Sequence, residues 1–125
     1  MKKDERVVYL DKKEDIDNII ELLNKYSFDE LKKSEYYKES LLVKGTDESV
    51  LKKIYPQFYR IKLIGLRKRR NNNENYDVYY ELDQGYAVVF AIDIQKEPPE
   101  LINGFLFHKN LRKFIEYVFK YVHIE

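Results

Sequence analysis

A block of basic residues between positions 51 and 70 is the part of this sequence best suited to chemistry. The block holds eight Lys or Arg and no Asp or Glu, whereas residues 1–50 and 71–125 each carry an excess of acid. Concentrated positive charge favours anionic partners, because it raises the electrostatic potential over one surface. The fold could instead pair this block with its acidic flanking segments. The sequence leaves both interpretations open.

Six cations within and beside one predicted hairpin form the candidate binding site. Arg60 and Lys62 alternate with apolar neighbours, so they share one face of a predicted strand, and the other four cations lead into a polar loop. Arginine side chains match the geometry of phosphate, and nearby tyrosines (Tyr59, Tyr79 and Tyr86) can stack on unpaired bases. We therefore expect a basic β-hairpin to contact the backbone of RNA or DNA. Its proposed contact residues are Arg60, Lys62, Arg67, Lys68, Arg69 and Arg70.

Residue patterns typical of catalysis and metal binding are sparse. The chain has no cysteine, which excludes disulfides, thiol nucleophiles and thiolate metal sites. His108 and His123 are the only histidines, and neither has a partner at ligand spacing. Asp77, Asp93 and Lys96 suggest the acid and Asp/Glu-x-Lys pattern of metal-dependent nucleases, but residues three apart on a strand face opposite sides. We predict no metal site, no cofactor and a binding protein rather than an enzyme.

Helices are predicted in the N-terminal half of the chain. A short β-branched and aromatic run over 7–10 indicates an edge strand. Apolar residues at i, i+3, i+4 and i+7 then predict a helix over 12–26, with Asp11 as its N-cap. Ser27 begins a second capping-box spacing and a second helical stretch, and Thr46 is placed to cap a third, short helix.

The apolar period changes to two after Phe58, which indicates β-strands. Strands are predicted over 59–63, 76–82, 86–92 and 101–107. The third of these is apolar on both faces, so we expect it to be central in the sheet. Asn110 is placed to cap a closing helix.

These elements predict a single α+β domain over residues 1–125. Its parts are a helical region at about 11–55, a β-hairpin sheet at about 58–107 and an amphipathic C-terminal helix at about 110–122. The sheet is expected to be an antiparallel meander of three to five strands, with the last helix packed on it. No apolar stretch is long enough to span a membrane and the first residues carry mixed charge, so we expect a cytoplasmic protein without a membrane partner.

The order of helices followed by a meander is similar in outline to the small RelE/ParE-type toxins. Tyr59-Arg60-Ile61-Lys62 and residues 77–82 resemble part of their sheet. The resemblance implies a metal-independent ribonuclease that uses basic, Tyr or His side chains. However, Asn75-Tyr76-Asp77 replaces the Arg usually found ahead of the tyrosine-rich strand, and the helix over 110–122 is an addition. The resemblance therefore assigns no catalytic residue.

Three functions follow from this sequence. The first is a small non-catalytic module that binds nucleic acid through the basic hairpin. The second is a protein-interaction or inhibitor module, which would use the same cations and exposed tyrosines against an acidic partner. The third is the toxin-like ribonuclease. A homodimer formed through the edge strand at 7–10 or through the last helix is compatible with each of them.

Overall fold

A computed structural model describes residues 6–68 and 74–122, and it has an α+β architecture built on one sheet. The elements in chain order are β1 (Arg6–Leu10), α1 (Lys13–Leu23), β2 (Lys32–Lys33), α2 (Glu35–Lys44), α3 (Glu48–Ile54), β3 (Ile61–Lys68), β4 (Glu74–Glu81), β5 (Ala87–Asp93), β6 (Glu100–Phe107) and α4 (Leu111–Tyr117). Single 3-10 turns precede β2 and β3, and a π-helical turn over Val118–Val122 extends α4.

The sheet has six described strands in the order β1-β3-β4-β5-β6-β2. Strands β3 to β6 form the expected antiparallel meander, and β1 pairs antiparallel with β3 at one edge. At the other edge β2 runs parallel to β6. The α+β class is confirmed, but a purely antiparallel sheet of three to five strands is wrong. A two-residue strand such as β2 is too short to show an alternating pattern in the sequence.

The sheet is covered on both faces, which makes three layers. Helices α1 to α3 pack on one face, against residues such as Ile64, Val78 and Phe90. Helix α4 packs on the other, where Leu111 joins Leu63 and Val89. Strand β5 is buried at all seven positions, as expected for a central strand covered on both sides. The predicted packing of the C-terminal helix on the sheet is therefore confirmed.

Two predicted helix starts in the N-terminal part differ from the structure. Helix α1 has Lys12 at its N-cap position with no side-chain cap, so the expected cap by Asp11 is wrong. The capping box of Ser27 and Glu30 does form, with Ser27 N donating to Glu30 Oε1 at 2.7 Å. It opens only a 3-10 turn, because the chain then extends into β2. Helix α2 begins afterwards, where the Ser34 hydroxyl accepts a hydrogen bond from the next turn.

Later caps agree with the sequence more closely. Asp47, not Thr46, caps α3 by accepting from Ser49 N at 3.0 Å. Asn110 caps α4 as predicted, with its Oδ1 accepting from Lys113 N at 3.0 Å. The structure therefore shifts one predicted cap by a single residue and retains the other.

A β-bulge at the start of β3 changes the predicted facing of its side chains. The register with β4 shifts between Ile61 and Leu63. As a result Ile61 lies in the core beneath α1 to α3, and Leu63 lies in the core beneath α4. Strict alternation along the predicted strand would put these two residues on one face, but a bulge adds a residue to one strand only and breaks the alternation. Lys62 lies at the bulge and is exposed.

Candidate functional site

The structure separates the predicted contact residues into two groups. Arg60 ends the 3-10 turn before β3 and Lys62 lies at the start of the strand, whereas Arg67 and Lys68 lie at its end. The rise of about 3.3 Å per residue places Lys62 and Lys68 about 20 Å apart along the strand. Arg69 and Arg70 lie outside the described residues. The four described cations therefore do not form one continuous patch.

The group at the end of β3 is paired with acid. Arg67 donates to Asp77 Oδ2 from Nη2 at 2.9 Å and from Nε at 3.3 Å. Asn75 Nδ2 donates to the other carboxylate oxygen of Asp77 at 3.2 Å, and Lys68 Nζ lies 4.0 Å from Glu74. The Asp77 side chain is only 10% exposed. For these residues the structure agrees with pairing between the basic block and its acidic flank.

The group at the start of β3 holds one cation that is paired with acid and one that is not paired among the described residues. Arg60 Nη1 donates to Asp83 Oδ1 at 3.0 Å and to the carbonyl oxygen of Glu81 at 3.0 Å, and the Arg60 side chain is 20% exposed. Lys62 is exposed, and it forms no ion pair with any residue in the part of the chain that the structure describes. Lys62 is thus the member of the predicted site best placed to meet an anion.

Helix α4 brings further cations beside Lys62. A depression of about 440 Å³ is lined by Arg60, Lys62 and Arg112, and Asn110 forms part of its wall. A second depression of about 530 Å³ shares Asn110. We call the surface around both depressions the basic end, and its cations are Arg60, Lys62, Lys109, Arg112 and Lys113.

Charges within the basic end are only partly compensated. Arg112 Nε donates to Glu81 Oε2 at 2.9 Å and stays 78% exposed. Lys109 and Lys113 are exposed and form no ion pair among the described residues. The sequence predicts the last helix, but it does not show that Arg112 and Lys113 lie beside β3. That juxtaposition depends on the turn between β4 and β5 meeting the start of α4, which no local pattern encodes.

Exposed tyrosines flank the basic end, but not all those expected. Tyr59 is 71% exposed and Tyr117 is 53% exposed. Tyr86 is 49% exposed and lies edge-on to His108, with ring centroids 6.3 Å apart. Tyr79 is buried between the rings of Phe107 and Phe114, so it cannot stack on a base. Of the three tyrosines suggested for stacking, two are accessible.

The sheet face beside α4 carries a second feature, a polar cleft of about 550 Å³. Asp77, Asp93 and Lys96 all line it. The argument that Asp93 and Lys96 must face opposite sides is wrong, because β5 ends at Asp93 and Lys96 lies in the following turn. Among the residues that the structure describes, no three His, Cys, Asp or Glu side chains are grouped as a metal ion would require. His123 lies outside the described residues.

None of the helices in the described part of the chain has the length and apolarity needed to cross a lipid bilayer. Comparison of the sequence with models of known protein families gives no match, and neither does comparison with curated proteins or with solved structures.

Proposed function

We propose that this protein is a small non-catalytic module that binds the backbone of nucleic acid through the basic end. The observation that carries the proposal is the exposure of Lys62, Lys109 and Lys113 without ion pairs among the described residues. These lysines lie together with two arginines around a shared surface that holds two acids, Glu81 and Asp83. An excess of cations over acids on one surface favours a polyanion.

The residue types at the basic end suit a strand backbone better than a defined base sequence. Lysine ammonium groups act as point charges towards phosphate, and each contact releases condensed counterions. Tyr59 and Tyr117 are exposed aromatic rings that can stack on unpaired bases of any identity. We therefore expect a preference for single strands, little sequence specificity and strong weakening by salt. A cytoplasmic location is part of the proposal.

A matched pair of double variants tests the basic end. Lys62→Ala with Lys113→Ala removes two positive charges from it. Lys12→Ala with Lys25→Ala removes the same charge beside α1, on the opposite side of the sheet, where both lysines are exposed and lack ion pairs among the described residues. Fluorescence anisotropy with short labelled RNA and DNA, single- and double-stranded, gives Kd at several salt concentrations.

We expect micromolar binding by the native protein and by the Lys12/Lys25 variant. The Lys62/Lys113 variant should bind at least tenfold more weakly, and its plot of log K against log salt should be shallower by about 1.4 for single strands, at about 0.7 per phosphate contact. Equal losses in both double variants would reduce the effect to net charge and contradict a localised site. Absence of binding by the native protein at low salt would refute the proposal and favour the acidic protein partner.

A separate hypothesis, that the cations of the hairpin contact nucleic acid, is tested in the same assay. Arg69→Ala with Arg70→Ala tests the two predicted contact residues that lie outside the described part of the chain. A loss of affinity in this variant alone would place the interface at the hairpin and not at the basic end. Cleavage of the labelled RNA by the native protein would instead support the toxin-like ribonuclease.

A further inference from the structure

Helix α4 and the π-helical turn that extends it present one exposed side to solvent. The exposed residues are spaced three and four apart, which places them together on a helix. Leu111 and Val118 are buried on the opposite side of the same segment. We call the exposed side the α4 face, and its residues are Arg112, Lys113, Glu116, Tyr117, Lys120 and Tyr121.

The α4 face carries more positive than negative charge. Lys113 and Lys120 are exposed and form no ion pair with any residue that the structure describes. Arg112 is bound by Glu81, and Glu116 is the only acid among the described residues of this face. The charge of the face is therefore complementary to an anion, whereas a second copy of the same face would bring like charges together.

Two exposed tyrosines form a ring pair at the C-terminal end of the α4 face. Tyr117 is 53% exposed and Tyr121 is 64% exposed, and their ring centroids lie 5.4 Å apart with 42° between the planes. Because stacked bases are about 3.4 Å apart, no base fits between these two rings, but a base can stack on the outer side of the pair. Lys120 Nζ lies 5.3 Å from the centroid of the Tyr121 ring, which places a positive charge beside the pair.

The ring pair is continuous with the basic end. Tyr117 lines the same depression of about 530 Å³ as Lys109 and Lys113. Tyr121 follows four residues later, about one turn further along the segment. A strand whose phosphates contact these lysines therefore has its neighbouring bases beside the rings.

We infer that the α4 face stacks the bases of an unpaired strand whose backbone is held at the basic end, a role that rests on the proposed function. The lysines attract the phosphates, and Tyr117 and Tyr121 contact the faces of the bases. Paired bases in a duplex are stacked on one another, so their faces are not accessible to the rings. The ligand class is therefore single-stranded RNA or DNA, with little dependence on base sequence.

Tyr121→Ala tests this role, because Tyr121 is uncharged and does not line either depression of the basic end. Tyr36→Ala is the matched control, since Tyr36 is 57% exposed on α2 and also lines neither depression. Tyr121→Phe keeps the ring and removes only the hydroxyl. Fluorescence anisotropy with labelled oligo(U), oligo(dT) and an oligo(dT)–oligo(dA) duplex gives Kd at several salt concentrations. Thermal unfolding checks that each variant keeps the fold.

We expect Tyr121→Ala to bind both single strands about fivefold or more weakly than the native protein does. Its duplex affinity and its slope of log K against log salt should be unchanged, because no phosphate contact is lost. Tyr121→Phe and Tyr36→Ala should both bind within about twofold of the native protein. Tighter binding of oligo(U) would identify RNA as the ligand, and tighter binding of oligo(dT) would identify DNA.

The opposite results separate this role from the proposed function. Unchanged affinity of Tyr121→Ala, together with weakened binding by the Lys62/Lys113 variant, would overturn the stacking role and leave the proposed function in place. Equal affinity of the native protein for duplex and single strands would also overturn the stacking role. Absence of any binding would refute both. A native dimer in sedimentation equilibrium that Tyr121→Ala abolishes, with unchanged affinity for nucleic acid, would assign the α4 face to a second copy of the chain.

Discussion

The contact between Gly85 and Asn110 ties the turn after β4 to the start of α4, and it supports a quantitative prediction. Gly85 has φ +93, a conformation that residues with a Cβ rarely adopt. A Cβ at this position would lie 2.9 Å from Asn110 Nδ2. The Gly85 carbonyl also accepts from Leu111 N at 2.7 Å, beside the Asn110 cap. Gly85→Ala therefore strains the backbone and displaces a helix cap together.

Both effects of Gly85→Ala on the free energy of unfolding have a typical magnitude. A left-handed conformation costs a residue with a side chain about 1–2 kcal/mol. Loss of an asparagine N-cap costs about 1 kcal/mol. We therefore expect Gly85→Ala to lower the free energy of unfolding by about 2–3 kcal/mol and Asn110→Ala to lower it by about 1 kcal/mol.

The double variant separates the two contributions. If Gly85→Ala already displaces the Asn110 side chain, adding Asn110→Ala removes little more. The double variant should then lose about 2–3 kcal/mol, which corresponds to a coupling of about 1 kcal/mol between the two positions. Urea unfolding followed by far-UV circular dichroism measures each free energy.

Gly45 provides the control. It also has a positive φ of 64, at the end of α2, but a Cβ there would meet nothing within 4 Å. Gly45→Ala should therefore cost only the backbone strain, about 1–2 kcal/mol, and should be additive with Asn110→Ala. Additive losses for Gly85→Ala and Asn110→Ala would refute the steric argument, and so would a cost at Gly85 no larger than at Gly45.

Two further predictions concern the core. Burial raises the pKa of four tyrosine side chains above the ordinary value of 10.0, namely Tyr37, Tyr55, Tyr79 and Tyr80. Because the pKa of these tyrosines is higher in the folded than in the unfolded protein, their contribution to the free energy of unfolding is fully present below pH 10 and is lost as the pH rises further. Absorbance at 295 nm should therefore show these tyrosines ionising only with unfolding. Early ionisation of all tyrosines in the folded protein would contradict this prediction. Phe90 is fully buried against the rings of Tyr55 and Tyr80. Phe90→Ala should therefore lower the free energy of unfolding, measured in urea, by about 3–5 kcal/mol, and Phe90→Leu should lower it clearly less. Equal losses for the two variants would show that the core adapts to the missing ring.

The sequence predicts elements well where one pattern is long and repeated. The apolar period over 12–26 and the doubly apolar run over 86–92 correspond to α1 and the buried strand β5. The prediction from sequence fails where one or two residues determine the local structure. The bulge at Lys62 places Ile61 and Leu63 on opposite faces of the sheet, and β2 is too short to show a periodic pattern. Both features depend on the neighbouring strand, which local patterning does not contain.

The candidate site is likewise predicted in part from local patterns and in part not. Charge and alternation single out Lys62, which is exposed in the structure. Lys109 and Lys113 join it only because α4 begins against the turn at Gly85, a contact between segments far apart in the chain. Strand alternation does not reveal the polar cleft, because β5 ends at Asp93 and Lys96 lies in the turn that follows. The sequence shows which residues carry charge, but the topology determines which of them meet.

The two outer strands of the sheet impose a fixed length on the chain between them. Strand β1 forms one border and β2 the other, so residues 11–31 must run across the whole sheet. Five strand spacings of about 4.8 Å make that width about 24 Å. Residues 11–31 include α1, whose 11 residues are about 16 Å long. This segment therefore connects the two edge strands over a set distance. A deletion in it would pull one edge strand out of the sheet, and an insertion would loosen the connection between them.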